Sequence, residues 1–170
     1  MKIKPLFIIL CVIILVAQKL IFSDAVTVIA DSYPLMIFVF PLIILTIPFD
    51  FDKPFLLITA FFIGLILDVF NDTLGVNAFS LVMLAYMRGY ILQLIQPRIG
   101  YKPGSSSLKS YGFGWAIMYL LLSLFIFSFS FFMIDAFTFI YIKKVLFCAA
   151  ISTMASFPFG ILILLTLKAT

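Results

Sequence analysis

Residues 55–97 read FLLITAFFIGLILDVFNDTLGVNAFSLVMLAYMRGYILQLIQP, two apolar stretches joined by the turn Asn71-Asp72-Thr73-Leu74-Gly75. Each stretch approaches the ~20 helical residues that cross a bilayer core about 30 Å thick. Asn, Asp and Gly suit a tight turn because they tolerate left-handed backbone conformations. This stretch therefore predicts a hairpin of two membrane-spanning helices, and it carries more polar detail than the rest of the chain.

The composition extends this prediction to the whole chain. Of its 170 residues, 65% are hydrophobic and 11% are charged, whereas a soluble domain has about 25% charged residues. Most of the surface must therefore face lipid. We predict an all-α, polytopic integral membrane bundle of six transmembrane helices in one domain, residues 1–170, with spans at about 5–22, 32–49, 54–71, 76–97, 111–134 and 145–167.

One apolar stretch shows a strand-like period. Phe125, Phe127, Phe129 and Phe131 alternate along the fifth predicted span. An isolated strand in hydrocarbon would leave its backbone unpaired, and the run is too uniformly apolar for a barrel with a polar lumen. We therefore predict a helix here.

The basic residues predict the orientation, since cytoplasmic loops carry an excess of Lys and Arg. With the N-terminus inside, seven basic residues outside the spans are cytoplasmic and three are external, which favours N-in and C-in. The cytoplasmic set is Lys2, Lys4, Lys53, Arg98, Lys102, Lys109 and Lys168, and the external set is Lys19, Lys143 and Lys144.

The sequence lacks the residues that several functional classes require. The chain has no histidine and no glutamate, so it offers neither a nucleophile–base pair nor a cluster of metal ligands. Cys11 and Cys148 stand in separate apolar runs and are predicted to be free thiols. The basic residues form no stripe suited to nucleic acid. We expect no enzyme activity, metal or cofactor, and the lipid bilayer as the surroundings.

Two charged residues lie inside predicted spans, where a charge is costly and usually faces the bundle interior. Side chains lean toward the N-terminus of their own helix, so Asp68 and Arg88 lean toward each other from neighbouring helices. A direct or water-bridged pair is one interpretation. In the other, Asp68 reaches the outer surface and Arg88 a watery cavity. Asn77 shares a helix face with Arg88, and Gly64 shares one with Asp68.

Small residues recur at helical spacing. Ala85 and Gly89 form one such pair, and Ser152, Ser156 and Gly160 form a longer row on the last helix. Small residues let helix backbones approach closely in lipid. These residues therefore predict either packing within the bundle or a face for a partner protein.

The hairpin also carries a family resemblance. Phe62-Ile63-Gly64-Leu65-Ile66-Leu67-Asp68, then Leu74-Gly75-Val76-Asn77-Ala78, then Ala85-Tyr86 and Arg88, resembles the rod shape-determining protein MreD family. That family shows a Gly-Leu-x-x-Asp segment, a short turn and a Leu-Gly-x-x-Ala segment. The resemblance makes the candidate polar core Gly64, Asp68, Gly75, Asn77 and Arg88.

The resemblance implies a non-catalytic scaffold of the cell-elongation machinery in the bacterial inner membrane. Its partners would be a bitopic MreC-type protein and, through it, MreB, RodZ and the PBP2–RodA peptidoglycan synthases. The family is also thought to share its fold with substrate-binding subunits of energy-coupling-factor vitamin transporters. A second hypothesis is therefore a small-molecule-binding subunit with an outward pocket lined by Asp68, Asn77 and Arg88. The scaffold is favoured because the short loops offer few groups to a ligand.

Overall fold

A computed structural model of the chain describes residues 27–28, 34–47, 49, 51–95, 112–138 and 140–169. Within these ranges the regular structure is helical apart from one antiparallel pair of two-residue strands, β1 (Thr27–Val28) and β2 (Pro34–Leu35). The helices are α1 (Pro41–Thr46), α2 (Lys53–Asn71), α3 (Val76–Leu94), α4 (Phe113–Ala136) and α5 (Ile142–Ala169).

The four long helices pack in chain order, α2 against α3, α3 against α4, and α4 against α5. Within the described ranges, three stretches are long and apolar enough to cross a membrane, Lys53–Asn71, Gly114–Ala136 and Ile142–Ile163. Helix α3 has the same length as α2, but Asn77, Arg88 and Gln93 lower its mean hydropathy. The described residues therefore have the character of a multi-pass membrane protein.

The long helices follow the sequence-based predictions closely. The predicted spans 54–71 and 111–134 correspond to α2 and α4, and 145–167 lies within α5. The span predicted at 76–97 is helical from Val76 to Leu94. The alternating phenylalanines lie in α4, so the helical interpretation of that stretch is confirmed. The first predicted span, 5–22, lies outside the described residues.

The second predicted span, 32–49, is wrong as a continuous helix. Residues 34–40 contain β2 and no helix, and only the six residues Pro41–Thr46 are helical. We call residues 34–47 the discontinuous segment. It lies against α3, α4 and α5, and residues 38–45 and 47 are buried.

The position of Pro41 explains why the helix begins where it does. Proline lacks an N–H and clashes with the preceding turn in a helix interior, but it costs nothing as the first helical residue. Here Pro41 is the first residue of α1, after Phe40. A helix running through residues 32–49 would place this proline in its interior.

Two serines of α5 compensate for the missing helix upstream of Pro41. The N–H of Met36 donates to Ser152 Oγ at 3.2 Å, and the N–H of Phe38 donates to Ser156 Oγ at 2.8 Å. Alternate residues of an extended chain are ~6.6 Å apart, and residues four apart on a helix rise ~6 Å. The serine spacing therefore matches the extended backbone.

Aromatic side chains secure the same segment against α4. The Phe38 ring lies 5.0 Å from that of Phe127 and 4.9 Å from that of Phe131, measured between centroids. Phe40 packs edge-on against Phe127 at 5.2 Å. Such pairs add about 0.5–1.5 kcal/mol beyond the apolar area they bury, so the discontinuous segment is part of the core upstream of α1 as well.

We predict that the double variant S152A/S156A unfolds at a clearly lower temperature than the wild type in detergent. The substitutions leave the N–H groups of Met36 and Phe38 without acceptors, and each unsatisfied buried donor costs about 1–3 kcal/mol. Thermal unfolding followed by circular dichroism or dye binding measures the loss.

The matched control is S123A/S128A on α4. Both hydroxyls are buried and have no hydrogen-bond partner in the part of the chain that the structure describes, so their removal is expected to be neutral or slightly stabilising. Equal losses in the two double variants would contradict the role assigned to the α5 serines.

Candidate functional site

The Asp68 carboxylate closes the turn between α2 and α3. Its Oδ1 accepts hydrogen bonds from the Asn77 N–H at 2.9 Å, from Asn77 Nδ2 at 3.0 Å and from Thr73 Oγ1. Its Oδ2 accepts from the Ala78 N–H at 2.9 Å. Asn77 Nδ2 also lies 2.9 Å from Thr73 Oγ1.

This arrangement is a helix cap supplied from a neighbouring helix. The first four N–H groups of a helix have no partner within it, and the residue before α3 is Gly75, which has no side chain to offer. Asp68 takes the capping role from the last turn of α2. Asp68 is only 4% exposed, so its charge needs stabilisation inside the protein. The positive end of the α3 dipole provides part of it.

Glycine is required at two points of this hairpin. A Cβ atom added at Gly64 would lie 2.3 Å from the Ala78 Cα atom, so the two backbones approach too closely for any side chain. Gly75 has a φ of 82°, in the left-handed region that glycine adopts without strain. The glycines and the carboxylate therefore define one structural unit, the tight α2–α3 hairpin.

Arg88 caps the C-terminal end of α1, where it donates hydrogen bonds to free carbonyls. Its Nη1 donates to the Ile44 carbonyl at 3.2 Å, and its Nη2 donates to the Ile47 carbonyl. The last carbonyls of a helix lack partners and carry partial negative charge. The guanidinium also lies over the Phe49 ring, with Cζ 5.1 Å from the centroid. Arg88 is 3% exposed.

A direct pair of Asp68 with Arg88, one of the two interpretations of the sequence, is not formed. Asp68 binds donors of the α2–α3 turn and Arg88 binds carbonyls of the discontinuous segment. Asn77 and Arg88 are eleven residues apart on one helix, a rise of ~16 Å at 1.5 Å per residue. Each charge is stabilised by backbone dipoles at its own end of the hairpin.

The small residues face the chain's own elements. Ser152 and Ser156 bind the discontinuous segment, and a Cβ atom added at Gly160 would lie 2.6 Å from a Leu120 methyl group. Ala85 is buried, and Gly89 lies beside the Lys53 side chain. This is the packing interpretation of the sequence pattern, and it leaves Ser152, Ser156 and Gly160 unavailable to a partner helix.

A cavity of about 260 Å³ lies beside Arg88, between α2 and α3. Its described lining does not include Asp68 or Asn77, so these two residues and Arg88 do not share this cavity as the ligand-binding hypothesis expected. Its polar members Lys53, Tyr86, Tyr90 and Gln93 were not predicted from the sequence to line a site. The spacing of Tyr86 and Tyr90, one helical turn apart, was the sequence feature that could have placed both tyrosines at one site.

The chemistry of the hairpin is that of a structural site. Four donors occupy the Asp68 carboxylate, which leaves it poorly placed to accept a proton from a substrate. Among the described residues no three His, Cys, Asp or Glu side chains gather to hold a metal ion. Cys148 is buried as a free thiol, and Cys11 lies outside the described residues.

Compared with protein-family models, curated proteins and solved structures, the chain matches none of them. The likeness to the MreD family therefore rests on the hairpin motif itself.

We predict that Asp68→Asn destabilises the protein by about 2–3 kcal/mol, because hydrogen bonds to a charged acceptor are worth about 1.5–3 kcal/mol. The amide would also turn an NH₂ group toward backbone N–H donors. Reversible unfolding in mixed micelles, or the midpoint of thermal unfolding, measures the change.

Asp72→Asn is the control for this substitution. Asp72 is exposed in the same turn with a φ of 52°, a conformation that asparagine also tolerates. A loss for Asp72→Asn as large as that for Asp68→Asn would show that the turn, rather than the cap, responds to the missing charge.

Proposed function

We propose that this chain is a non-catalytic scaffold subunit of a bacterial cell-elongation complex, similar to the MreD family. In this proposal it lies in the inner membrane with six spans, and both termini are cytoplasmic. It binds a bitopic MreC-type protein and, through it, MreB, RodZ and the PBP2–RodA synthases.

The single observation that carries the proposal is that the motif residues contact one another and shape the α2–α3 hairpin. Gly64, Asp68 and Gly75 build the hairpin, and the backbone N–H groups of Asn77 and Ala78 are what Asp68 binds. In a scaffold such residues need only maintain the fold, whereas in a ligand-binding subunit their side chains would face a pocket. Their engagement with one another favours the scaffold over the vitamin-transporter alternative.

Helix α2 supplies a surface for a partner helix. Its large apolar side chains facing away from the bundle recur every three or four residues, which forms one stripe. The stripe consists of Phe55, Ile58, Phe62, Ile66 and Val69, all exposed. In this proposal a single-span partner packs along the stripe, and lipid covers what remains.

The discontinuous segment is compatible with the proposed orientation. Met36 binds Ser152 and Phe38 binds Ser156, so the partners follow the same order in the two segments, and the discontinuous segment runs parallel to α5. Both would run from the outer to the inner face, as the second and sixth spans of a bundle with both termini inside. Lys53 then begins α2 at the cytoplasmic face.

The orientation predicts that the α2–α3 turn is external. In a chain with Cys11→Ala and Cys148→Ala, we expect Leu74→Cys to react with a membrane-impermeant maleimide in intact spheroplasts, because Leu74 is fully exposed in that turn. Ser106→Cys, in the basic stretch 97–109, should react only after the membrane is opened. The reverse labelling pattern would refute the orientation.

Purification tests the scaffold itself. We expect the wild-type chain, extracted from bacterial membranes in mild detergent, to retain a single-span coiled-coil partner. The variant F62A/I66A should retain several-fold less, because it truncates the centre of the α2 stripe. A tightly bound small molecule in place of any protein partner would support the transporter alternative instead.

The control for this comparison is M118A/L121A. These two side chains are exposed and apolar on α4, so their truncation changes the lipid-facing surface to a similar degree. Equal partner loss in both variants would show that the α2 stripe has no special part in the contact.

A further inference from the structure

The cavity beside Arg88 lies at the end of the hairpin opposite the capped turn. It is bounded by the first turns of α2 and the last turns of α3, together with the residues that precede α2. Its apolar walls come from Phe49, Phe51, Leu56, Leu57 and Leu92. At about 260 Å³ it is slightly smaller than the ~300–1,000 Å³ typical of pockets for drug-sized ligands, a size that suits a head group.

The mouth of the cavity is polar and basic. Lys53 is exposed, and its Nζ atom lies 4.0 Å from the position that a Cβ atom of Gly89 would occupy, so the lysine reaches across to α3. The hydroxyls of Tyr86 and Tyr90 lie 3.5 Å apart on the exposed side of α3. Tyrosine and lysine are both common where a protein crosses the membrane–water boundary.

A second cation lies deeper in the same cavity. The Arg88 guanidinium is bound by neutral carbonyls, and its Nε atom is buried without a hydrogen-bond partner among the described residues. The described lining contains no carboxylate. A buried charge without a counter-charge is costly, so an anion entering this cavity would be favoured by both Lys53 and Arg88.

We infer that this cavity binds the phosphate group of an anionic amphiphile, with Lys53 and the tyrosine hydroxyls at its mouth and Arg88 at its base. The apolar walls and the opening on the helix surface favour a lipid head group over free phosphate as the source. Basic residues attract anionic lipids by about 1 kcal/mol each. This inference does not depend on the proposed scaffold function, because it concerns a different end of the hairpin.

The single tryptophan of the chain offers a direct readout. Trp115 Nε1 donates to the Ile95 carbonyl at 2.8 Å, just beyond the end of α3, and its ring packs edge-on against Phe49, which lines the cavity. Lipids with brominated acyl chains quench tryptophan fluorescence at short range. Quenching of Trp115 in bilayers of mixed phosphatidylglycerol and phosphatidylcholine therefore reports which lipid occupies this region.

We expect brominated phosphatidylglycerol to quench the full-length wild-type chain more strongly than brominated phosphatidylcholine at equal mole fraction. Lys53→Gln should weaken the preference for the anionic lipid about fivefold, the factor equivalent to ~1 kcal/mol. Lys143→Gln removes the same charge from an exposed position on α5, outside the cavity lining, and should leave the preference unchanged. Unfolding temperatures in pure phosphatidylcholine check that both variants fold.

A parallel measurement separates the two sources of phosphate. Inorganic phosphate is added to the protein in neutral detergent without phospholipid. A rise in unfolding temperature that Lys53→Gln abolishes, with no preference for phosphatidylglycerol in bilayers, would support phosphate recognition but assign it to the free ion. The inference is overturned if neither probe binds, or if Lys53→Gln and Lys143→Gln respond alike.

Discussion

Backbone N–H and C=O groups that leave regular structure must find partners inside the protein when apolar surroundings exclude water. The described residues meet this constraint at three interruptions. Ser152 and Ser156 accept from the extended backbone before α1, Arg88 donates to carbonyls at the end of α1, and Asp68 accepts from the first N–H groups of α3.

The two buried charges follow from the same constraint. A carboxylate lies at the positive start of α3, and a guanidinium lies at the negative end of α1. Each is stabilised by the dipole of a helix terminus rather than by an opposite side-chain charge. Because neither charge pairs with the other, the hairpin can hold them in different places: Asn77, which binds Asp68, lies about 16 Å by helical rise from Arg88.

This separation gives the two ends of the hairpin different surfaces. At the end with Asp68 the two backbones meet at Gly64, and four donors of the hairpin occupy the carboxylate. The end with Arg88 keeps a cavity, basic groups and a mouth lined by tyrosines. The exposed stripe of α2 joins the two ends. A scaffold that contacts both a partner helix and anionic lipid would use these surfaces without any catalytic group.

The sequence by itself determined the helical membrane character, the bounds of α2 and the start of α3, and the tight turn that joins these two helices. Hydrophobic length and turn-forming residues are local properties, so they can be read from a single segment. Tertiary structure alone decided that residues 34–40 lie outside any helix and that Asp68 and Arg88 bind backbone groups instead of each other. Those outcomes depend on which donors and acceptors a distant segment brings within hydrogen-bonding distance, and an apolar run carries no local signal of that.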